Sequence, residues 1–373
     1  MKRPMKRRYK VLLWTLGTLG VAVVGVRLVI SHDSACGAGE PIAAGTPTMK
    51  GWVHQCYGGP EVVKFESLVK PAAADDEVIV KVRAVSVNPL DWHVIRGKPY
   101  LMRLMGSGVG TPTDEELGVD FAGVVESVGK AVTKFKPGDE VFGGRDGAFA
   151  EYVRVKESRN IVLKPASISF EQAAAIPIAA VTALQALRDA GKLKSGEKVL
   201  VNGASGGVGT FAVQIAKALG AEVTGVCSGR NVELVSSLGA DHVIDYTRED
   251  FTEGNTKYDL IVDNAVTHPL SDTRRVLPPE GRYVIVGSFG SGDYLGPITE
   301  VLKAAAYDPF VSQRVGFMMA SLTPEDLTTL RDMMVEGKIR SVIDRTYKMS
   351  ELPEAIRYLE TGRARGKVIV AFE

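Results

Sequence analysis

Val199-Leu200-Val201-Asn202-Gly203-Ala204-Ser205-Gly206-Gly207-Val208-Gly209 passes from an apolar strand, through a turn almost free of side chains, into the helix-patterned segment Thr210 to Leu219. Each part has a physical task. A buried strand delivers the chain, the small residues let backbone N–H groups approach a pyrophosphate, and the helix N-terminus offers unpaired donors at its positive dipole end. From Ala204 to Gly209 the motif reads A-x-G-x-x-G, which departs from the usual fingerprint at the first glycine and is weak by itself. A glycine turn without a ligand is the plainer alternative. The next strand, Glu222 to Val226, follows at the spacing of a βαβ unit, so Ala204, Ser205, Gly206, Gly207, Val208 and Gly209 are expected to receive a dinucleotide.

Beyond Ser169 helices and strands alternate: Glu171 to Ala190 is helical, and Leu260 to Val262 and Tyr283 to Val286 are strands. That alternation predicts a parallel sheet covered on both faces, over residues 171–310. Residues 49–170 have another texture, with short strands at Val78 to Val82 and Phe121 to Val128 and a tight corner at Pro137-Gly138. Two helices follow late in the chain. Thr323 caps the first and Gly337 stops it, while Ser350 caps the second and Gly362 ends it. The last strand, Val368 to Phe372, is assigned with residues 311–373 to the first, β-rich domain.

The composition, 45% hydrophobic and 24% charged, is that of a globular protein and excludes disorder. Seven Lys or Arg fall in residues 1–30, leaving 38 basic against 44 acidic residues elsewhere, so no nucleic-acid partner is expected for the folded part. Cys36, Cys56 and Cys227 are too few and too scattered for a disulfide framework or a four-cysteine zinc lobe. The N-terminus carries six basic residues and then the run Val11 to Ile30, broken only by Arg27. Twenty helical residues span roughly 30 Å, the thickness of a bilayer core, so residues 1–30 are expected to form a basic N-terminus and a single-pass membrane anchor. Small residues around Ala35 leave cleavage open, and the side occupied by the catalytic body is not decided. Residues 31–48, rich in Gly, Ala, Pro and Ser, read as a linker.

Together with the glycine turn, Gly118-Val119-Asp120-Phe121-Ala122-Gly123-Val124-Val125-Glu126, Lys136-Pro137-Gly138-Asp139 and Gly362-Arg363-Ala364-Arg365-Gly366-Lys367-Val368 resemble the medium-chain dehydrogenase/reductase superfamily, in its zinc-free quinone oxidoreductase (zeta-crystallin-like) branch. The likeness runs from about Met49 to Glu373. It implies an α/β protein: a GroES-like catalytic domain plus a Rossmann doubly wound nucleotide-binding domain, to which the transmembrane helix would be added. Zinc-containing relatives keep Cys, His and Cys at positions that match Asn88, Val119 and Ile178 here. None of these three side chains supplies a thiolate or imidazole, so no metal site is expected.

That substitution constrains the chemistry. Reducing an isolated ketone puts a full alkoxide charge on one oxygen, whereas hydride addition to a quinone or enone spreads the charge over a phenolate or enolate that a hydrogen-bond donor can hold. Asn88 is expected to donate to the acceptor oxygen, or else to be a turn asparagine before Pro89. Asp91 either joins the pocket or caps the short helix after it, and His93 either supplies a proton or is an ordinary surface or core histidine. For the cofactor, the strand ending at Val226 is followed by Cys227-Ser228-Gly229-Arg230 without the acid that pairs with NAD ribose hydroxyls. Ser228 and Arg230 suit a 2′-phosphate, so NADPH is expected. By resemblance, Tyr246 and Lys367 approach the cofactor and Thr182 the nicotinamide; the plainer alternatives are exposed-loop cations at Arg230 and Lys367 and a helix-packing threonine at Thr182. The reading is an NADPH-dependent reductase of small quinones or α,β-unsaturated carbonyls, with a homodimer left open. A zinc-free alcohol dehydrogenase and an NADPH-binding redox sensor without turnover are the alternatives.

Overall fold

The computed structural model describes residues 25–37, 39, 41–287, 292–294, 296, 299 and 312–372. A two-stranded ribbon, β1 (Thr48–His54) and β2 (Val63–Val69), opens the first domain. Its main sheet is built from β3 (Glu77–Val87), β4 (Asp120–Val128), β5 (Glu140–Gly144), β6 (Tyr152–Lys156) and β7 (Ile161–Leu163). Between β3 and β4 comes the helix α1 (Pro89–Arg96), begun by Pro89 and stopped by Gly97 in the left-handed region at φ 57°. Val78, Val80, Val82, Val85 and Val87 of β3 pack with Phe121, Val125, Val141 and Val153 into one apolar core.

The second domain holds six parallel strands in spatial order β10–β9–β8–β11–β12–β13: β8 (Lys198–Asn202), β9 (Glu222–Cys227), β10 (His242–Asp245), β11 (Leu260–Asp263), β12 (Arg282–Ile285) and β13 (Arg314–Phe317). Numbered within the domain this is 3-2-1-4-5-6, the doubly wound order, whose direction reverses between β8 and β11 and opens a crevice at their C-terminal ends. The domain is entered through α2 (Phe170–Ala174) and α3 (Pro177–Gln185), and α4 (Gly207–Ala218) follows β8. Residues 314–317, assigned in sequence to the returning segment, instead pair with β12 inside the parallel sheet. The return to the first domain comes later, through β14 (Ile343–Lys348) and β15 (Lys367–Ala371), which complete a sheet of order β14–β15–β3–β4–β5–β7.

Three further expectations are corrected. Among the described residues no helix is long and apolar enough to cross a membrane, so the transmembrane helix and the membrane localisation built on it do not stand. Residues 1–24, with most of the apolar run, lie outside the described residues. Its described end is a short helix that closes at Ile30, where Ile30 is buried and the Arg27 guanidinium sits 4.7 Å from the Tyr294 ring centre. Second, the segment read as a linker is fastened to the domain. Cys36 and Cys56 form a disulfide with their Cα atoms 4.6 Å apart. The buried Arg103 donates through Nη1 to the carbonyls of Ile30 and His32 at 3.1 Å, and through Nη2 to Asp33 Oδ1 at 2.8 Å. Third, the last helix begins at Leu352 rather than directly after Ser350, because residues 349–351 make a tighter 3-10 turn first.

Candidate active site

Strand register assembles the site. Ser86 on β3 stands opposite Asp120 on β4, and Val87 stands opposite Val368 on β15, so the next residues along, Asn88 and Lys367, become neighbours at one end of the sheet. Asp120 is fully buried, and an acid in an apolar strand must be matched by donors. Four surround it. Ser86 Oγ donates to Oδ2 at 2.7 Å, Asn88 Nδ2 to Oδ2 at 2.9 Å and the Ile178 backbone N–H to Oδ1 at 3.0 Å, while Lys367 Nζ stands 3.5 Å from Oδ2. The Ile178 bond has a local reason: α3 opens after Ile176, whose side chain cannot cap it, and Asp120 supplies the missing acceptor.

Asn88 is committed on both sides. Its Nδ2 faces Asp120 Oδ2 and, more distantly, the Ser86 carbonyl at 3.4 Å, and its Oδ1 accepts from Lys367 Nζ at 2.6 Å. Its backbone N–H donates to Asp91 Oδ2 at 2.6 Å, which puts Asp91 at the start of α1 as a cap. Burial pushes the Asp91 carboxyl up to about 7, with Asp120 adding to the rise and the Asn88 N–H and Lys367 opposing it. The same burial lowers the Lys367 ammonium from its ordinary range, against the attraction of Asp120 and Asp91.

Lys367 also reaches the dinucleotide turn. Gly366 N donates to the Ser205 carbonyl at 2.9 Å, and a Cβ placed on Gly207 would meet the Lys367 δ-carbon at 3.1 Å. The side chain therefore runs over the first residue of α4 and ends at Asn88. Around it the turn is shaped for close approach. A Cβ on Gly209 would lie 2.1 Å from the Gly203 carbonyl oxygen, so only glycine lets α4 start there, and the N–H groups of Gly207, Val208 and Gly209 have no acceptor within the helix. Asn231 donates to Ser205 Oγ at 2.9 Å and Ser228 Oγ at 3.2 Å, while its buried Oδ1 has no partner. Across the crevice Asn264 donates to the Asn202 carbonyl at 2.9 Å and likewise leaves a buried Oδ1 unmatched. Open N–H groups, a turn opened by Gly203, Gly206, Gly207 and Gly209, and two orphaned acceptors fit a dinucleotide.

The structure thus brings Asn88, Asp91 and Lys367 into one cluster and links it to Ala204, Ser205, Gly206, Gly207, Val208 and Gly209. Arg230 is anchored at the same crevice's outer end, its Nη2 donating to the Arg363 carbonyl at 2.7 Å, with Ser228 two residues before it. Tyr246 is 60% exposed beyond β10, its backbone N–H bonded to the Cys227 carbonyl. Thr182 is buried on α3. His93 is engaged elsewhere: its ring stacks on Trp92 with centres 3.6 Å apart, its Nδ1 meets the Lys98 carbonyl at 2.8 Å, and burial lowers its pKa. Asp120, Ser86, Asn231 and Asn264 were missed as site residues. The signal for Asp120 was present, since it is the lone charge opening the apolar strand Asp120 to Val125.

Two family models match the chain, one described as the alcohol dehydrogenase GroES-like domain over residues 74–166 and one as zinc-binding dehydrogenase over residues 238–370. The mitochondrial NAD(P)H oxidoreductase RTN4IP1 of Mus musculus is 36% identical over 366 residues, covering 88% of this chain and 90% of that protein. The chain belongs to the medium-chain dehydrogenase/reductase family. Within it, the 2-methylene-furan-3-one reductase of Solanum lycopersicum is 33% identical, with 93% of this chain and 85% of that protein covered. The quinone oxidoreductase of Coxiella burnetii superposes with a TM-score of 0.76 at 30% identity, over 87% of this chain and 100% of the other. These likenesses place this family member in the zinc-independent quinone oxidoreductase branch, as an enzyme that uses a nicotinamide cofactor. The zinc of the family description has no ligand set at the matching positions: Asn88 and the Ile178 backbone both turn to Asp120, which Val119 precedes, and an ammonium occupies the centre.

Proposed function

We propose that this chain reduces quinones or α,β-unsaturated carbonyls with NADPH as the hydride source. The observation that carries the reading is the position of Lys367, whose side chain joins the dinucleotide turn at Gly207 to the buried Asn88–Asp120 cluster. A cationic, donor-rich end to the crevice suits an acceptor whose negative charge is delocalised, and an ammonium at its centre repels a divalent cation.

The preference for NADPH over NADH is supported by Arg230 and Ser228. No carboxylate directly follows β9 in sequence, the neighbouring Asp245 carboxylate is taken up by Thr247 and Arg248, and the Arg363 carbonyl and the Ser228 hydroxyl hold this corner in place. The N–H groups at the start of α4 would take the pyrophosphate, and the Asn231 and Asn264 oxygens would accept from cofactor hydroxyl or amide groups. When bound, the cofactor supplies the hydride. The protein's part is to hold the acceptor against it, exclude water and carry the compensating charge.

The test is turnover by purified protein with NADPH over a panel of quinones, enones and saturated ketones. Turnover of quinones or enones without the saturated ketones is expected. NADPH binding with no turnover of any acceptor would instead leave a cofactor-binding sensor.

A further inference from the structure

We propose that Lys367 is the catalytic donor to the acceptor oxygen and the source of the proton that completes the reduction, with Asn88 and Asp120 as its positioning residues. The inference rests on the quinone or enone reading above and names the group that does the protonation.

Three observations carry it. First, Asn88 has little left to give a substrate, because its Nδ2 faces Asp120 at 2.9 Å and the Ser86 carbonyl at 3.4 Å. Second, an ammonium has three N–H groups, and Lys367 Nζ has two acceptors within reach, Asn88 Oδ1 at 2.6 Å and Asp120 Oδ2 at 3.5 Å, which leaves one for a ligand. Third, its location is the junction itself: the stem crosses Gly207 at the mouth of the cofactor cradle, and the head lies beyond, in the cluster rather than at the helix N-terminus. A lysine meant only for phosphate would end at the cradle.

The step balances. An enone gains the hydride at its β carbon and a quinone at one of its oxygens, the π electrons of the conjugated system move to the remaining carbonyl oxygen, and an enolate or a phenolate results. One N–H bond of Lys367 then breaks as that oxygen takes the proton, leaving a neutral amine that regains a proton from water. An enol formed this way passes to the saturated ketone by exchange with solvent, while a quinone becomes the hydroquinone. Burial of Lys367, which lowers its hold on its proton, works in the same direction, and Asp120 opposes it.

The experiment compares the parent with Lys367→Met by three readouts: NADPH affinity from fluorescence quenching, kcat with a quinone, and the absorbance of 4-nitrophenol bound to protein without cofactor. The expected result is a fall in kcat of about 10²-fold or more, the scale for loss of one aligned donor, with NADPH affinity preserved. The parent should also bind 4-nitrophenol as the phenolate, and the variant should lose that spectrum. If the lone buried Asp120 prevents Lys367→Met from folding, the double variant with Asp120→Asn restores neutrality and carries the same comparison. NADPH affinity lost with kcat at saturation retained would make Lys367 a phosphate ligand and overturn the proposal. So would a phenolate spectrum unaffected by the substitution. If the parent turns over no quinone or enone, the functional reading fails separately, and the 4-nitrophenol spectra still decide for or against Lys367 as the oxygen's donor.

Discussion

The Asp120 carboxylate on β4 accepts the backbone N–H of Ile178 at 3.0 Å, tying the catalytic sheet to the first turn of the helix that enters the nucleotide domain. The other carboxylate oxygen takes Ser86 and Asn88 and faces Lys367, so one buried group fixes the mutual position of both domains and the site's cation. Asp120→Ala leaves Lys367 buried without its counter-charge and should cost about 3–5 kcal/mol of folding stability, as for other broken buried pairs. Denaturant unfolding of parent and variant checks it. A loss well under about 1 kcal/mol, the worth of an exposed pair, would contradict the arrangement.

Arg230 should decide between the two nicotinamide cofactors. Two residues on from Ser228, its guanidinium is held by the Arg363 carbonyl at the corner to which the proposed function assigns a 2′-phosphate. Arg230→Ala should erode the preference for NADPH over NADH by roughly 1–3 kcal/mol, the range for charge-assisted hydrogen bonds. Titration of both cofactors into both proteins measures this, and equal affinities in the parent would refute the assignment.

Asp91 sets a pH dependence with a definite sign. Burial raises its carboxyl from an ordinary 3.8 to about 7, so the folded protein holds this proton more tightly than the unfolded chain does. Its contribution to stability is then complete below the ordinary value and is lost as pH rises towards the folded one. Asparagine cannot ionise, and its side-chain oxygen can still accept the Asn88 N–H. Asp91→Asn should therefore raise Tm relative to the parent at pH 8 and change it little at pH 4. The same Tm difference at both pH values would exclude the ionisation as the cause.

Reduction of the Cys36–Cys56 disulfide should release residues 31–37. With a sequence separation of 20, the closed loop is worth about 3 kcal/mol in the chain-entropy account. Cys36→Ser should lower the stability of oxidised protein by that order, and a thiol reductant should produce the same drop in the parent only. A parent indifferent to reductant would mean that Arg103 and its partners Ile30, His32 and Asp33 hold the segment alone.

The sequence made local structure legible wherever a single residue decides it. Gly209 had to be glycine for α4 to start against β8, and Thr323 does accept the Asp326 N–H as its helix cap. What stayed hidden depends on register between distant strands. Lys367 and Asn88 are 279 residues apart and meet only because β15 pairs with β3 at Val368 and Val87. The Cys36–Cys56 pair escaped notice for a related reason: a count of three cysteines says nothing of two loops meeting beneath Arg103. The apolar run misled because hydropathy reports the tendency of side chains to leave water, not the length of the helix that carries them: its described end is a short helix in which Ile30 is covered by protein while Val26, Leu28 and Val29 stand exposed.

The most direct measurement of the central claim follows the hydride itself. Reduced NADPH carrying deuterium at C4 is incubated with an α,β-unsaturated ketone, and the product is examined by NMR. The account predicts deuterium on the carbon β to the carbonyl of a saturated ketone. Deuterium on a carbinol carbon, in an alcohol that keeps its double bond, would contradict it.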